Sequence, residues 1–335
     1  MRLIRILNVI RYNDWWLYKV PTLLAIFYAT LSLSGYCIAD NWIEILKLLF
    51  YICSAAIYVC IINDISDKKL DEGAGKSNIF TKLPSTYSVI ILATTILLQV
   101  IVLIILLKHK YAAVLYMLSL ISYSLYSIPP FRFKLNKYLG VLADALGAHC
   151  FASIFVIAYA YGVTKINLDP KWVLAITFWS LSYGIRGIIW HQFIDKDADL
   201  KTGIRTLGNS PNTKSINTIV SVVFIVETIF LLYIIYCFKS WVVFIFFLIY
   251  LFFLITRHYL YNSKIIMARP YSQYFQIIFA EYYEFYFPIS ILILNTQNCS
   301  ISLFVLIFQL LLFPNRIFNL FIYLKDIFRR LLNKL

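Results

Sequence analysis

The amino-acid sequence predicts an all-α fold, a polytopic membrane helix bundle of about nine or ten transmembrane helices. Of its 335 residues, 61% are hydrophobic and 14% are charged, whereas soluble domains are nearer half apolar and a quarter charged. Many windows of roughly 20 residues carry few or no charges, which is typical of membrane-spanning helices. The net charge of +14 is spread over short loops, so we attribute it to membrane topology and expect no nucleic-acid partner.

Hydropathy places ten spans in what we expect to be one domain, residues 1–335. The spans lie near 21–38, 44–62, 86–107, 111–128, 139–162, 172–191, 216–237, 240–256, 273–294 and 299–321. The basic, aromatic-rich residues 1–20 predict an interfacial helix with no signal peptide. Residues 322–335 read as a basic cytoplasmic tail. Asn315 and Arg316 fall inside the last span, which is compatible with a shorter or partly interfacial helix.

The basic residues also predict the orientation in the membrane. Most loop lysines and arginines fall on the side that carries Asp64, and such residues concentrate on the cytoplasmic side. Placing the basic C-terminal tail on that side favours ten spans over nine. We therefore expect a multi-pass protein, in a cell inner membrane, with Asp64 facing the cytoplasm.

The six cysteines are expected to be unpaired. None belongs to a Cys-x-x-Cys pair, and most lie inside apolar runs, at positions 37, 53, 60, 150, 237 and 299. Small buried hydrophobic residues are therefore the favoured interpretation over disulfides or a zinc site.

A first acidic cluster follows the second predicted span. Asp64, Asp67 and Asp71 are spaced i, i+3 and i+7, which places them on one face of a helix. Three carboxylates on one face repel one another unless a cation or strong donors lie among them. Hard oxygen ligands suit Mg²⁺, which proteins bind with one or two carboxylates plus substrate phosphates. Asn63 adds a neutral oxygen beside them.

A second acidic cluster follows the sixth predicted span. Asp195 and Asp199 are spaced i, i+4 and share a helix face, which His191 and Gln192 extend by one turn. Asp197 points the opposite way. Four spans separate the two clusters, so both should lie on the same side of the membrane.

Two facing carboxylate clusters that can each hold Mg²⁺ are suited to a diphosphate, because bridging metals neutralise its oxygens. Basic residues in neighbouring loops could hold the same group, and each could equally reflect the positive-inside bias. They are Lys76 and Arg205 in glycine-containing loops, and Arg132 and Lys134 after the fourth span.

Some ionisable residues lie within predicted spans, where they are costly and face an interior or a cavity. Arg186 could pair with a glutamate or contact substrate. Glu281 and Glu284 share a face; one could act as a base or orient an acceptor, or they could pair with Arg186 or His149.

These motifs resemble the UbiA superfamily of intramembrane prenyltransferases. Asn63, Asp64, Asp67 and Asp71 match its N-D-x-x-D-x-x-x-D motif, and Asp195 and Asp199 match its D-x-x-x-D motif. A Tyr-Ser-x-Pro-Pro-x-x-x-Lys stretch, here from Tyr126 to Lys134, is also similar. Aromatic-acceptor members often continue the first motif with an arginine-rich stretch, where this sequence has residues 75–78, Gly-Lys-Ser-Asn.

The resemblance implies a central cavity that opens sideways to lipid, and transfer of a prenyl group from a polyprenyl diphosphate to an aromatic or other lipophilic acceptor. It assigns one Mg²⁺ to Asp64, Asp67 and Asp71, the other to Asp195 and Asp199, and diphosphate support to Asn63. A membrane terpene cyclase and phosphoribosyl transfer to a polyprenyl phosphate stay open as alternatives. A transporter would leave the two acidic clusters unexplained.

Overall fold

The computed structural model describes residues 10–332 and confirms the all-α prediction, apart from one short two-stranded sheet. Thirteen helices and two strands are labelled here in chain order. They are α1 Tyr12–Trp15, α2 Val20–Leu33, α3 Trp42–Ala74, α4 Ser85–Leu106, α5 Lys110–Ser127, α6 Lys137–Thr164, α7 Pro170–Ile194, α8 Lys196–Lys201, α9 Thr213–Cys237, α10 Trp241–Tyr261, β1 Lys264–Ile266, β2 Phe275–Ile277, α11 Phe287–Asn298, α12 Ser302–Leu312 and α13 Pro314–Leu332.

The predicted count of nine or ten spans is not confirmed. Among the described residues, six helices are long and apolar enough to cross a membrane, namely α3, α4, α6, α7, α9 and α10. Helices α12 and α13 would make a seventh only if the bent pair is counted as one span, and the apolar α2 has 14 residues.

The last two predicted spans differ most from the structure. The span at 273–294 begins with β2, which pairs in parallel with β1, and regular α-helix starts only at Phe287. The span at 299–321 breaks at Pro314, where α12 and α13 meet at 80°, because proline disfavours helical backbone in the residue before it. The predicted tail from residue 322 continues α13 as far as Leu332.

The N-terminal segment was predicted to be an interfacial helix over residues 1–20. Residues 1–9 lie outside the described part of the chain, and of the next ten residues only Tyr12–Trp15 is helical. Trp15 is buried, and its indole N–H donates to the Ile10 carbonyl at 2.8 Å. This segment therefore packs into the bundle.

Helix α3 is the element that positions the first acidic cluster. It continues well past the apolar run that predicted it and ends at Gly75, whose φ of +71° is the left-handed conformation that glycine adopts readily. The amide of Lys76 then donates to the Asp71 carbonyl at 2.8 Å. The three aspartates consequently share one face of a continuous helix.

The bundle is organised around α7, which packs between α9 and a π-helical segment of α6, Ala145–Phe151. Helix α2 packs against α6 and α11. Large apolar side chains on α4 such as Ile90, Leu97 and Ile104 are more than half exposed, as expected of a helix that faces lipid. The outer helices thus surround a core that carries the polar residues.

Arg186 on α7 forms a buried ion pair with Glu227 on α9. Two of its N–H groups donate to the Glu227 carboxylate at 2.7 Å, and others donate to the carbonyls of Met267 and Ile278 at 2.6 and 2.8 Å. The Tyr283 hydroxyl donates to the same carboxylate at 2.8 Å. Arg186 borders the cavity described below, but four of its five N–H groups already have partners, so we assign it to fold stability and not to the substrate contact considered from sequence.

A disulfide joins Cys37 to Cys299, with a Cα–Cα distance of 5.7 Å. The prediction that all six cysteines are unpaired is therefore wrong for these two, whereas the other four are free. The pairing depends on two loops that are distant in sequence. Asn295 ties them together, because it accepts from the Ile38 amide at 3.1 Å and donates to the Tyr36 carbonyl at 3.0 Å.

Removing the disulfide should destabilise the protein. We expect Cys37→Ser to lower the unfolding temperature of the detergent-solubilised chain by several degrees, because the bond no longer restricts the unfolded ensemble. Cys237→Ser, which changes a free cysteine, is the control. An equal effect of both substitutions, or no loss of stability on reduction of the wild type, would contradict the disulfide.

Breaking the Arg186–Glu227 pair should be severe. Arg186→Met or Glu227→Met alone leaves a buried unpaired charge and should reduce the free energy of unfolding by about 3–5 kcal/mol. The double substitution should cost less than the sum of the two. Chemical unfolding in detergent measures this, with Lys47→Met as a control because Lys47 pairs with Glu44 in a partly exposed position. Single changes as mild as the control would show that the pair is not a stabilising feature.

Candidate active site

A cavity of about 2100 Å³ lies inside the bundle and receives both acidic clusters. Its polar end is formed by the ends of α3 and α7, α8 and the loops that follow. Among the residues predicted from sequence to form a site, those lining it are Asn63, Asp64, Asp67, Asp71, Lys76, Tyr126, Lys134, Arg186, His191, Gln192, Asp195, Asp199, Glu281 and Glu284. The structure therefore brings together residues that are up to about 220 positions apart in sequence.

The first cluster is held in place by Asn78, which the sequence analysis did not select. The Asn78 side-chain amide donates to the Asp71 carboxylate at 2.8 Å and to the Asp64 carbonyl at 2.7 Å. Asn78 is buried, so these bonds fix the loop after α3 against the helix. The sequence does contain one signal for Asn78. It lies in residues 75–78, where the sequence departs from the arginine-rich stretch of the resembled family.

Asp67 is paired with two cations from the loop between α5 and α6. Arg132 donates to the Asp67 carboxylate at 2.8 Å, and the Lys134 ammonium group contacts the same oxygen. Lys134 also reaches the Asn63 side-chain oxygen at 3.5 Å, which accepts from Ser127 at 3.3 Å. The loop from Ser127 to Lys134 is thereby packed directly on the first acidic motif.

Burial shifts the pKa values of two charged groups of the site, Lys134 and Asp199, in opposite directions. It lowers the pKa of Lys134 to about 8, so the ammonium group still carries its charge at neutral pH. Burial and the neighbouring Asp195 raise the pKa of Asp199 to about 6. Two adjacent carboxylates at the cavity thus favour the arrival of a cation.

The second cluster is supported by the loop after α8. The Thr206 hydroxyl donates to the Asp199 carboxylate at 3.2 Å, and Gln192 accepts from the Leu207 amide at 3.0 Å. Gly208 allows this close approach, since a Cβ atom there would lie 2.1 Å from the Gln192 carbonyl oxygen. Gln192 therefore positions the loop as well as lining the cavity.

Two further cations connect the clusters to other segments. The Lys76 ammonium group lies 3.2 Å from the Asp195 carboxylate and so links the first cluster's loop to the second cluster. Arg11 lies 3.4 Å from the Asp64 carboxylate. The sequence analysis placed Arg11 in an interfacial helix and did not predict this contact, which depends on how the N-terminal segment folds back.

Two basic residues predicted to hold substrate do not line the cavity. Arg205 is exposed on the loop after α8, although its neighbours Ile204 and Thr206 border the cavity. Arg132 contacts Asp67 from the side away from the cavity lining, and it also donates to the Ser66 carbonyl at 2.9 Å. We therefore do not assign Arg205 to the site, and we assign Arg132 the role of positioning Asp67.

The two glutamates near α11 have partners that the sequence did not predict. Glu281 contacts Arg257 of α10, and Glu284 contacts Arg316 of α13. The suggested pairing with Arg186 or His149 is wrong, because Arg186 is occupied by Glu227. Both ion pairs line the same cavity as the acidic clusters.

Below the acidic clusters the cavity becomes apolar. Small side chains on α3 and α6, including Ala55, Ala56 and Ala152, leave the space open. Tyr116 and Phe155 line its deep end, with ring centroids 5.3 Å apart. Ile52 lies twelve residues before Asp64, so the apolar part extends roughly 18 Å along α3 at the rise of an α-helix.

The donors at the polar end suit Mg²⁺. They are carboxylate and amide oxygens, the hard ligands this ion prefers. No group of three or more histidine, cysteine or acidic side chains converges into a complete metal cage among residues 10–332. A bound ion would therefore also need phosphate oxygens and water as ligands.

Comparisons with known proteins agree with this arrangement. The UbiA prenyltransferase family matches residues 20–269. Solved structures of a UbiA homologue from Archaeoglobus fulgidus have the same fold. The form bound to GPP and Mg²⁺ aligns with a TM-score of 0.54 and 14% identity, over 88% of this chain and 98% of that one. Another structure of that homologue gives 0.52 and 14%, over 89% and 98%.

No curated protein sequence gives a match. The family match nevertheless covers most of the chain and includes both acidic clusters. The chain belongs to the UbiA prenyltransferase family.

Proposed function

We propose that this protein is a Mg²⁺-dependent intramembrane prenyltransferase that moves a prenyl group from a polyprenyl diphosphate to a lipophilic or aromatic acceptor. One observation carries the proposal: two carboxylate clusters and their interleaved lysines meet at the polar end of a cavity whose other end is apolar. A diphosphate with a hydrocarbon chain has the same division into a charged and an apolar part. The A. fulgidus homologue was solved with GPP or DMAPP and Mg²⁺, which supports this substrate class.

Asp64, Asp67 and Asp71 would hold one Mg²⁺, and Asp195 and Asp199 the other. When bound, the metal supplies neutralisation of the diphosphate and so favours its departure as a leaving group. Lys76 and Lys134 are the ammonium groups nearest these carboxylates, and both line the cavity. Each ammonium group can replace its carboxylate partner by a phosphate oxygen of the substrate without a movement of the loop that carries it.

The remaining polar residues orient these groups. Asn78 fixes the end of α3, Thr206 holds Asp199, and Arg132 holds Asp67. Preorganised charges of this kind stabilise the transition state without reorganisation during the reaction. The acceptor attacks the prenyl carbon as its bond to the diphosphate breaks, the diphosphate leaves as an anion, and the proton that the acceptor loses passes to the released diphosphate or to water.

The apolar end of the cavity would hold the prenyl chain. Tyr116 is pinned there, because its hydroxyl donates to Gln99 at 2.6 Å and lies 3.0 Å from the Ser54 hydroxyl. Phe155 packs on the Tyr116 ring. This fixed aromatic pair limits the length of chain that the cavity accepts.

We also propose that the acidic clusters face the cytoplasm in a cell inner membrane, from the distribution of basic residues. The Cys37–Cys299 disulfide joins the loops at the other ends of α2 and α11, and such bonds persist in oxidising compartments. Both features support the same orientation.

The carboxylates should be essential for turnover. Asp64→Asn and Asp195→Asn each remove a metal-binding oxygen and should lower kcat/KM by at least about 100-fold, as loss of transition-state electrostatic stabilisation does. Release of diphosphate from geranyl diphosphate, with and without Mg²⁺, measures this in purified protein.

Asp197→Asn is the matched control. Asp197 is an exposed acidic residue on α8, two residues after Asp195, and it does not line the cavity. The variants should keep the wild-type unfolding temperature within a few degrees. Metal-dependent turnover that persists in both Asp64→Asn and Asp195→Asn would refute the proposed function.

The aromatic pair should set the preferred donor. Phe155→Ala removes part of the cavity's end and should raise kcat/KM for geranylgeranyl diphosphate relative to geranyl diphosphate by at least about tenfold, the size of effect that a changed apolar pocket has on specificity. Phe178→Ala, which changes a ring stacked on Phe230 outside the cavity, is the control. An unchanged ratio in Phe155→Ala would place the end of the chain elsewhere.

A further inference from the structure

One acidic side chain that lines the cavity is not used by the arrangement described above. In the described part of the chain, eight acidic residues line the cavity and contact a cation or a hydrogen-bond donor, namely Asp14, Asp64, Asp67, Asp71, Asp195, Asp199, Glu281 and Glu284. Asp144 also lines the cavity, but its side chain forms no hydrogen bond or ion pair with another described residue. It is partly exposed, and neither of its oxygens is sealed from the cavity. The Asp144 carboxylate is therefore free to meet a substrate.

Asp144 lies just below the acidic clusters, towards the apolar part of the cavity. It is about 10 Å along α6 from the first residue of that helix. The charge of Asp144 acts on Tyr126, as do the charges of Asp195 and Asp199, so Tyr126 is near all three. Asp144 also interacts electrostatically with His191, which is one helical turn before Asp195. A diphosphate bound at the clusters would therefore bring its first prenyl carbon close to Asp144.

The backbone of α6 is irregular at this point. Asp144 directly precedes the π-helical segment Ala145–Phe151, and π-helical turns are rare and frequently occur at functional sites. The Ser119 hydroxyl of α5 donates to the Gly147 carbonyl in this segment at 2.7 Å. Gly184 of α7 is so close that a Cβ atom there would lie 3.0 Å from the α6 backbone. These contacts fix the part of α6 that carries Asp144, as a catalytic group requires.

A lysine balances the charge of Asp144 without occupying its oxygens. Lys19, directly before α2, is the cation that acts most strongly on Asp144. Its ammonium group donates to the Tyr123 hydroxyl at 3.3 Å, and it forms no ion pair with Asp144. The carboxylate thus has a nearby positive charge and still has both oxygens available.

We propose that Asp144 is the base that removes the proton which the acceptor loses during prenyl transfer. The proposal rests on the proposed prenyltransferase function. A base must reach the reacting group within the length of a hydrogen bond, and among the described acids of the cavity Asp144 is the one whose oxygens are not taken. The acidic clusters are less suited to this task, because bound Mg²⁺ would occupy their oxygens.

The proton transfer to Asp144 accompanies the exchange of two bonds. The bond between the prenyl carbon and the diphosphate breaks, and its electron pair leaves on the diphosphate. The acceptor forms a new bond to that carbon with its own electron pair, and its proton moves to the Asp144 carboxylate. The proton then passes to the released diphosphate or to water, which returns Asp144 to its starting form. No oxidant or reductant takes part.

Competition between water and azide tests this proposal with two simple nucleophiles. The full-length protein is incubated with Mg²⁺, geranyl diphosphate and azide, and the prenyl alcohols and prenyl azides that form are measured. Water must lose a proton when it attacks the prenyl carbon, whereas the azide anion has none to lose. The ratio of alcohol to azide therefore reports on the base. Azide formation by itself reports on ionisation of the diphosphate and on folding.

We expect Asp144→Asn to lower the ratio of alcohol to azide by at least about tenfold, because a positioned base contributes about 100-fold or more. Azide formation should continue at close to the wild-type rate. Asp144→Ser also removes the carboxylate, and it decides the question if Asp144→Asn does not fold. Asp197→Asn is the control, since Asp197 is exposed and does not line the cavity. It should keep the wild-type ratio.

Two results would overturn the assignment of Asp144. One is an unchanged ratio in a folded Asp144 variant, and the other is an equal fall of both products, which would mean that Asp144 supports ionisation or the fold. If the wild type releases diphosphate and either result is found, only the assignment of Asp144 fails. If the wild type releases no diphosphate in the presence of Mg²⁺, the proposed function itself fails.

Discussion

Carboxylates in the interior of this bundle are paired with cations that come from distant parts of the chain. Asp67 pairs with Lys134, and Glu227 pairs with Arg186. An unpaired charge in such surroundings costs several kcal/mol, so each pair fixes the relative position of two segments. The charge pairs therefore help to determine which helix ends meet. The apolar helix surfaces cannot do this, because they pack equally well against lipid and protein.

The Lys76–Asp195 pair at the polar end differs from the Arg186–Glu227 pair in its exposure to solvent, which matters for function. Arg186 and Glu227 are fully buried, and Arg186 makes four hydrogen bonds. Lys76 and Asp195 are each more than a third exposed and held by a single contact. Pairs of the second kind are weak and can reopen when a stronger ligand arrives, which is what a diphosphate and its metals require.

The local part of the site could be predicted from sequence, and its tertiary part could not. The i, i+3, i+7 spacing placed Asp64, Asp67 and Asp71 on one face because helix geometry is local. The contacts of Arg11 and Asn78 depend on how loops fold back onto α3, which no spacing reveals. The same holds for the disulfide.

The span predictions failed for a related reason. Hydropathy measures composition, and the half-buried strand β2 at Phe275–Ile277 lies in a stretch that contains many apolar residues. Hydropathy also carries no information on chain direction, so the predicted span at 299–321 continued across the break before Pro314. These two irregular elements are the ones that carry Gln276, Arg316 and Asn319 to the cavity.

The irregular C-terminal region is built differently from the helices that carry the acidic clusters. Diphosphate chemistry needs oxygen ligands at fixed positions, and the ends of continuous helices such as α3 supply them. The residues that line the cavity after residue 269 lie instead on or just before the strand β2, next to or within a π-helical turn at Tyr282–Tyr286, and in the first half of α13. These elements contribute none of the carboxylates of the acidic clusters, but Arg186 connects them to α7 through the carbonyls of Met267 and Ile278.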